Sequence, residues 1–155
     1  MKDINFKQIE DTLFLEEEHF ILRDQVKKFV ETEVKPVAQN WESNGFIPRE
    51  VFKKMGTLGF LGITYPTEFG GSEMDVRGSV VFAEELGKST FSGFAIASLV
   101  HTDMASVHLL NAGNLVQKEK YLCDIVSGNK ISCVAVTEPN AGSDVKNIRT
   151  KAQKV

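Results

Sequence analysis

Apolar residues recur at three- and four-residue spacing over the first two-thirds of the chain, which predicts a mainly helical structure there. A single stripe of this kind is typical of a helix with one face against a core. The first stripe is formed by Leu22, Val26, Phe29, Val30 and Val34. Pro36 interrupts this pattern, and a kink or break is expected there because proline lacks the N–H and crowds the preceding turn.

Two further helices are predicted between Pro48 and Lys88. Pro48 suits the first turn of a helix. That helix is expected to bury Val51, Phe52, Met55 and Leu58. A loop rich in Gly and Pro follows, in which Gly70 and Gly71 indicate a tight turn. Asp75 suits the N-cap of the next helix, which is predicted to run to about Lys88.

The residues from Phe91 to Leu110 are apolar on every side of a helix, which is typical of a central, buried helix. The next helix, from about Val116 to Val126, ends at Ser127-Gly128-Asn129, where Gly128 suits a left-handed C-cap. The residues that this helix is predicted to bury are Val116, Tyr121, Leu122, Ile125 and Val126.

After Lys130 the pattern changes to the alternation of a β-strand, apolar on nearly both sides. Ile131, Cys133, Ala135 and Thr137 alternate with Ser132, Val134 and Val136. Residues 147–155 again favour an extended structure. Two strands alone are only marginally stable, so the rest of a sheet is expected to be missing from this sequence.

The composition fits a soluble globular protein, with 42% hydrophobic and 25% charged residues in 155 positions. The net charge of −3 argues against a general nucleic-acid or membrane-surface binder. Residues 130–155 hold five Lys or Arg and two Asp or Glu, a local balance of +3. Such a tail suits a phosphate-bearing ligand, and a solvated strand face explains it equally well.

Cysteine spacing and the N-terminus predict a reducing compartment. Cys123 and Cys133 form no CxxC motif, so they are interpreted as two reduced, buried thiols. The N-terminal residues carry acids early and no apolar segment, which excludes a secretory signal and disfavours a mitochondrial transit peptide.

The run from Thr137 to Asp144 (TEPNAGSD) is the candidate for ligand binding. Asn140 and Gly142 tolerate positive φ, so successive N–H groups of this turn can form a nest for an anion such as a pyrophosphate. Ser143 adds a hydroxyl, and Thr137 offers a hydroxyl and an N–H to a polar ring edge. A turn without a ligand remains the more common outcome for such a sequence.

Residues 135–147 (AVTEPNAGSDVKN) closely resemble a signature of the acyl-CoA dehydrogenase family. The departure is Asn147, where the family prefers a small residue, and this position follows the turn. Residues 59–75 (GFLGITYPTEFGGSEMD) and 114–132 (NLVQKEKYLCDIVSGNKIS) are similar to family segments in the same order. The resemblance therefore covers nearly the whole chain.

The resemblance implies the family's three-part fold, a helical domain, a middle β-domain and a C-terminal helical bundle, in a chain more than twice this length. Residues 1–129 would form the helical domain and residues 130–155 the incomplete start of the β-domain. The resemblance also implies FAD, bound by residues 134–143. These residues are Val134, Ala135, Val136, Thr137, Glu138, Pro139, Asn140, Ala141, Gly142 and Ser143.

The family's contacts assign a role to three of these residues. Thr137 would bond the pyrimidine edge of the flavin, and Gly142 and Ser143 would lie near the pyrophosphate. Ser143 would also contact the pantetheine arm of an acyl-CoA substrate. In the family reaction a glutamate removes the α-proton while the β-hydrogen leaves as hydride to FAD, giving a 2-enoyl-CoA.

No catalytic residue is expected in this segment, because the family's base lies far downstream. Glu138 is interpreted as a structural carboxylate that holds the turn. His101 and His108, seven residues apart, are poorly spaced for a metal, so no metal is expected. They favour a polar hydrogen bond in the interior or a contact near the acyl cavity.

The resemblance further implies an electron-transferring flavoprotein as partner and a homotetramer at full length, with no nucleic acid and no membrane. The expected location is the cytoplasm, or the mitochondrial matrix after removal of a transit peptide. Two alternatives remain: a relative such as an acyl-CoA oxidase or a nitroalkane-oxidising enzyme, and a non-catalytic helical partner subunit.

Overall fold

The computed structural model describes residues 14–154, and it is mainly helical as the sequence predicts. Its helices are α1 (Glu17–Phe29), α2 (Lys35–Asn44), α3 (Arg49–Thr57), α4 (Val76–Gly87), α5 (Ser92–Leu99), α6 (Ser106–Ala112) and α7 (Leu115–Val126). Two π-helical turns are Val30–Val34 and Val100–Ala105, and two 3₁₀ turns are Thr67–Phe69 and Val145–Asn147. The expected absence of an N-terminal targeting signal concerns residues that lie outside this range.

The kink or break expected at Pro36 takes the form of a π-helical turn just before it, and the chain stays helical through the proline. α1, the turn Val30–Val34 and α2 follow one another without leaving helical backbone angles. The N–H of Lys35 donates to the carbonyl of Val30, five residues back. The hydrogen bonds of this wider turn join residues five apart just before Pro36. The proline, which has no N–H to donate, therefore does not interrupt a regular series of α-helical hydrogen bonds.

The apolar stripe that runs along α1 and the π-helical turn after it forms the centre of the main core, as predicted. Its five members are at most 8% exposed. Phe60, from the loop after α3, contacts Phe29 edge to face with ring centroids 5.7 Å apart, and it contacts Phe82 of α4 at 6.1 Å. The core therefore joins α1, α4 and the loop that follows α3.

The ends of α3, α4 and α7 follow the predicted capping residues closely. Pro48 is the N-cap of α3 and not its first residue. Asp75 caps α4 as predicted, since its carboxylate accepts the N–H of Arg77 at 2.8 Å. Gly70 and Gly128 both adopt the left-handed conformation, with φ of 90° and 74°.

Three residues that were predicted to be buried are exposed. Leu58 is 45%, Val116 is 72% and Tyr121 is 37% exposed. Val116 and Tyr121 lie on α7 as predicted and Leu58 directly follows α3, but periodicity does not say which side of each helix meets another element.

The helix α5–π–α6, residues 92–112, does not have the central position that its composition predicts. Ile96 and Met104 are 55% and 48% exposed. Its buried residues are mostly polar, and they are Phe94, Ser98, His101, Thr102 and Ser106. This helix is long enough and, with a mean hydropathy of 1.2, apolar enough to cross a membrane. Core helices of soluble proteins meet the same two criteria.

The strand predicted from Ile131 has no partner strand. Residues 14–154 contain no β-sheet, and their one isolated β-bridge joins Glu138 to Ala141. Since a strand satisfies its N–H and C=O groups through a neighbour, an extended segment alone does not form a ladder. The two cysteines are free as predicted, but both are exposed and not buried.

Gly128 lets the end of α7 approach the backbone of α3. A Cβ on Gly128 would lie 2.2 Å from the carbonyl oxygen of Phe52, and one on Gly56 would lie 2.2 Å from that of Ser127. The two segments therefore contact each other backbone to backbone.

We expect Gly128→Ala to lower the free energy of unfolding by about 2 kcal/mol or more, from the left-handed φ and the steric clash. Denaturant unfolding followed by circular dichroism measures it. Gly87→Ala is the matched control, because a Cβ there meets no atom within 4 Å, and it should be neutral or stabilise by up to about 1 kcal/mol. Equal stability of both variants would contradict the close approach.

Candidate functional site

Residues 131–144, which we call the cradle segment, follow the end of α7; residues 131–137 form neither helix nor sheet, and a turn begins at Glu138. Along Cys133–Thr137, no backbone hydrogen bond is formed to any part of the chain that the structure describes. Thr137 is exposed and Val134 is half-buried. The segment therefore presents a run of five residues whose backbone donors and acceptors are available to a ligand or a neighbouring strand.

The start of the cradle segment is attached to His101, which is fully buried in the π-helical turn of α5–α6. The Nδ1 atom of His101 accepts the N–H of Ser132 at 3.1 Å, and Nε2 contacts the carbonyl oxygen of Ile125 at 3.0 Å. The hydroxyl of Ser132 donates to the carbonyl of His101 at 3.0 Å. The predicted interior hydrogen bond of His101 is thus confirmed.

His108 does not share the position of His101, although the two are seven residues apart. His108 is exposed. The turn Val100–Ala105 adds a residue to the helical turn, so positions after it are rotated relative to a regular helix. No group of three or more potential metal ligands occurs among the residues described.

The turn at the end of the cradle segment is closed by two backbone bonds. Glu138 N–H donates to Ala141 O at 2.8 Å, and Ala141 N–H donates to Glu138 O at 3.2 Å. Neither Asn140 nor Gly142 has positive φ. The nest predicted from positive φ is therefore not formed, because proline followed by asparagine at the centre of a turn is satisfied by ordinary negative φ angles.

Glu138 holds this turn to the chain that follows it, as the structural interpretation predicts. Its carboxylate accepts the N–H groups of Arg149 and Thr150, both at 2.8 Å, and the hydroxyl of Thr150. The Thr150 hydroxyl and then the two backbone donors hold the pKa of Glu138 below its usual range. A carboxylate with three donors is a poor base, which agrees with a structural role.

The geometry at the far end of the segment fits a polar ligand. Gly142 and Ser143 are exposed, and a Cβ placed on Gly142 would meet no heavy atom within 4 Å. Ala141 is 3% exposed and anchors the turn. The open side next to Gly142, the Ser143 hydroxyl and the unpaired backbone of Cys133–Thr137 offer space and hydrogen-bonding groups to a polar ligand without a backbone nest.

The comparisons with known proteins identify the class. The family model described as acyl-CoA dehydrogenase, N-terminal domain, matches residues 16–129. The mitochondrial isovaleryl-CoA dehydrogenase of Pongo abelii is 39% identical over 142 residues, which cover 90% of this chain and 33% of that protein. This chain belongs to the acyl-CoA dehydrogenase family.

Solved structures agree with this membership. An acyl-CoA dehydrogenase from Bacillus anthracis complexed with FAD aligns with a TM-score of 0.82 at 32% identity, covering 87% of this chain and 23% of that one. A glutaryl-CoA dehydrogenase from Mycobacterium smegmatis aligns at 0.85 and 30% identity, covering 96% and 38%. The chain thus spans about a third of the length of the relatives that it matches.

Sequence reasoning did not identify Ser132 as the contact of His101. The two residues are 31 positions apart. A serine one position into an extended run carries no signal of such a contact. Tyr65 was also missed, and its buried hydroxyl lies 2.7 Å from both the Thr102 carbonyl and the Ser106 hydroxyl.

We expect Glu138→Gln to expose the amides of Arg149 and Thr150 to solvent exchange, because a neutral carboxamide is a weaker acceptor than a carboxylate. In the unsubstituted chain, acidification should expose the same two amides to exchange, because protonation makes the Glu138 side chain neutral. Since the folded-state pKa of Glu138 is lowered, the contact is complete above the unfolded-state pKa and is lost as the pH falls through the folded-state pKa.

Amide hydrogen exchange measured over a pH series tests this expectation. The control is Glu119→Gln, a change of an exposed glutamate on α7 that should leave both amides unaffected. Protection of Arg149 and Thr150 that is independent of pH would contradict the role of Glu138.

Proposed function

We propose that this chain is the front part of a flavin-dependent acyl-CoA dehydrogenase that oxidises an acyl-CoA to a 2-enoyl-CoA. Family membership supports the class, and relatives described as complexed with FAD support the cofactor. The observation that carries the proposal is the unpaired run Cys133–Thr137 with open space at Gly142, on a chain of this family.

Within this proposal the cofactor-binding residues are those of 134–143. Thr137, an exposed residue, supplies a hydroxyl and an unpaired N–H to the polar edge of the flavin ring. Gly142 and Ser143 lie on the open side of the turn, where the free space around Gly142 leaves room for a pyrophosphate. Ser143 is also the residue that we assign to the acyl-CoA substrate. Residues 1–129 and 130–155 would be the helical domain and the start of the β-domain.

Bound FAD supplies the hydride acceptor of the reaction. The chain described here contributes binding and orientation: hydrogen-bond donors at Thr137 and Ser143, and a turn fixed by Glu138. We assign no proton transfer to Glu138, since its carboxylate is occupied by three donors. The base would lie in the remainder of the protein.

The proposal includes an electron-transferring flavoprotein as acceptor, a homotetrameric assembly, and a location in the cytoplasm or the mitochondrial matrix. The family's pattern supports these points. Exposed apolar residues on the helix 92–112, such as Ile96 and Met104, give further parts of the protein a surface to pack against. An oxidase-type relative shares the same cradle, so it remains the second candidate.

The isolated chain of residues 1–155 should retain little or no FAD, because the cradle segment is exposed along one side and encloses nothing. Purification with added FAD, followed by absorbance of the flavin and the protein, measures the bound ratio. A yellow protein with one FAD per chain would contradict this expectation.

In the longer protein we expect Thr137→Ala to shift the flavin absorbance and to slow flavin reduction by acyl-CoA about fivefold, the equivalent of one hydrogen bond. Stopped-flow spectroscopy measures both. Thr137→Ser keeps the hydroxyl and is the matched control, which should stay near the original rate. An unchanged spectrum and rate in Thr137→Ala would remove Thr137 from the site.

A further inference from the structure

The cradle segment has one hydrogen-bonded attachment to the helical part of the molecule. Among the hydrogen bonds of residues 14–154, those that connect the chain after Lys130 to residues before it all run between Ser132 and His101. The bonds of Glu138 to Arg149 and Thr150 lie within the chain after Lys130. They close the turn without connecting it to the helices.

The contacts of His101 define its protonation state. The backbone N–H of Ser132 can only donate, so Nδ1 must be the unprotonated acceptor at 3.1 Å. The carbonyl of Ile125 can only accept, so Nε2 carries the proton and donates at 3.0 Å. The ring is therefore neutral, with both nitrogens in use, and it joins the π-helical turn, the end of α7 and the start of the cradle segment.

We propose that His101 is the positioning residue of the cradle segment: its neutral ring fixes the backbone of Ser132 against the helices, and protonation of the ring removes this backbone bond and loosens the segment. The name of the segment rests on the proposed function, whereas the attachment itself rests on the geometry of His101. With Ser132 fixed, the residue that we assign to the flavin edge, Thr137, is five positions from a rigid point.

The surroundings of His101 favour the neutral ring. The ring packs against Phe52 of α3 with centroids 5.7 Å apart and is fully buried. Burial lowers the pKa of His101, and the Ile125 carbonyl opposes this in part.

The charged residues nearest in sequence to these contact residues are Lys53 and Lys54 after Phe52, Asp103 after His101, Asp124 beside Ile125, and Lys130 two positions before Ser132. Lys54 pairs with Glu33, Asp124 pairs with Lys130, and the Asp103 carboxylate accepts the Thr102 hydroxyl.

The direction of the pH effect follows from these contacts. A protonated Nδ1 would turn a donor toward the Ser132 N–H, so this bond is lost in the charged state, whereas the bond from the Ser132 hydroxyl to the His101 carbonyl does not involve the ring. Since the folded-state pKa is lowered, the bond to Nδ1 is complete above the unfolded-state pKa of histidine. It is lost as the pH falls through the folded-state pKa.

The experiment is an NMR study of this chain without flavin. The ¹⁵N shifts of the His101 ring report the tautomer, the exchange protection of the Ser132 amide reports the attachment, and order parameters of residues 133–137 report its effect. We expect the Nε2–H tautomer at neutral pH and a protection factor that falls on acidification. His101→Phe should lower Ser132 protection about tenfold at neutral pH and mobilise residues 133–137.

Three further variants separate positioning from general stability. His101→Gln offers one acceptor and one donor, so it should restore part of the protection and remove its dependence on pH. Ser132→Pro deletes both the N–H and the hydroxyl that bond His101 without changing the buried ring, which keeps the test valid if His101→Phe does not fold. It should mobilise residues 133–137. His108→Phe changes an exposed histidine of the same helix and should change neither measurement.

The Nδ1–H tautomer, or an unprotected Ser132 amide at neutral pH, would overturn the proposal. Rigid residues 133–137 in Ser132→Pro would overturn it as well. None of these measurements uses FAD, so failure of the longer protein to bind flavin would overturn the proposed function and leave the His101 attachment standing.

Discussion

The helix of residues 92–112 turns its polar side chains inward, and the hydrogen bonds of these side chains fix the parts of the structure around it. A buried polar group without a partner costs about 1–3 kcal/mol, so each must be met by a specific group. Tyr65 brings the loop after α3 to Thr102 and Ser106. His101 brings the end of α7 and Ser132 to the same stretch of helix. The loop, α7 and the cradle segment thus share one support.

The π-helical turn Val100–Ala105 makes this support possible. Its carbonyl groups accept side-chain donors from other elements: His101 O from the Ser132 hydroxyl at 3.0 Å, and Thr102 O from the Tyr65 hydroxyl at 2.7 Å. In a regular helix each of these carbonyls is directed along the axis to the N–H four residues on. The wider turn departs from that ladder and presents acceptors to neighbours, a use for which π turns are known at functional sites.

The sequence predicts the features that depend on neighbouring residues and does not predict the contacts between distant ones. Periodicity predicted the helices, the stripe of α1 and the caps at Asp75 and Gly128, because those features depend on neighbours in sequence. It did not predict that polar residues of 92–112 face inward, since this helix is apolar on every side and its pattern marks no single buried face. The signature residues of the cradle were found by their order. The attachment of the segment to His101 is made by Ser132, 31 positions away along the chain, and no local sequence pattern indicates it.

The cradle segment is attached to the helices at Ser132, and Glu138 closes the turn at its other end. The backbone between these two residues is unpaired in residues 14–154. Exposed backbone groups are satisfied by water, but they become costly once a surface covers them without offering partners. Whatever covers Cys133–Thr137 must therefore present donors and acceptors of its own. A flavin ring edge does so on one side and a neighbouring strand on the other. An apolar surface alone does not, which is why the segment is suited to a polar cofactor and not simply to burial.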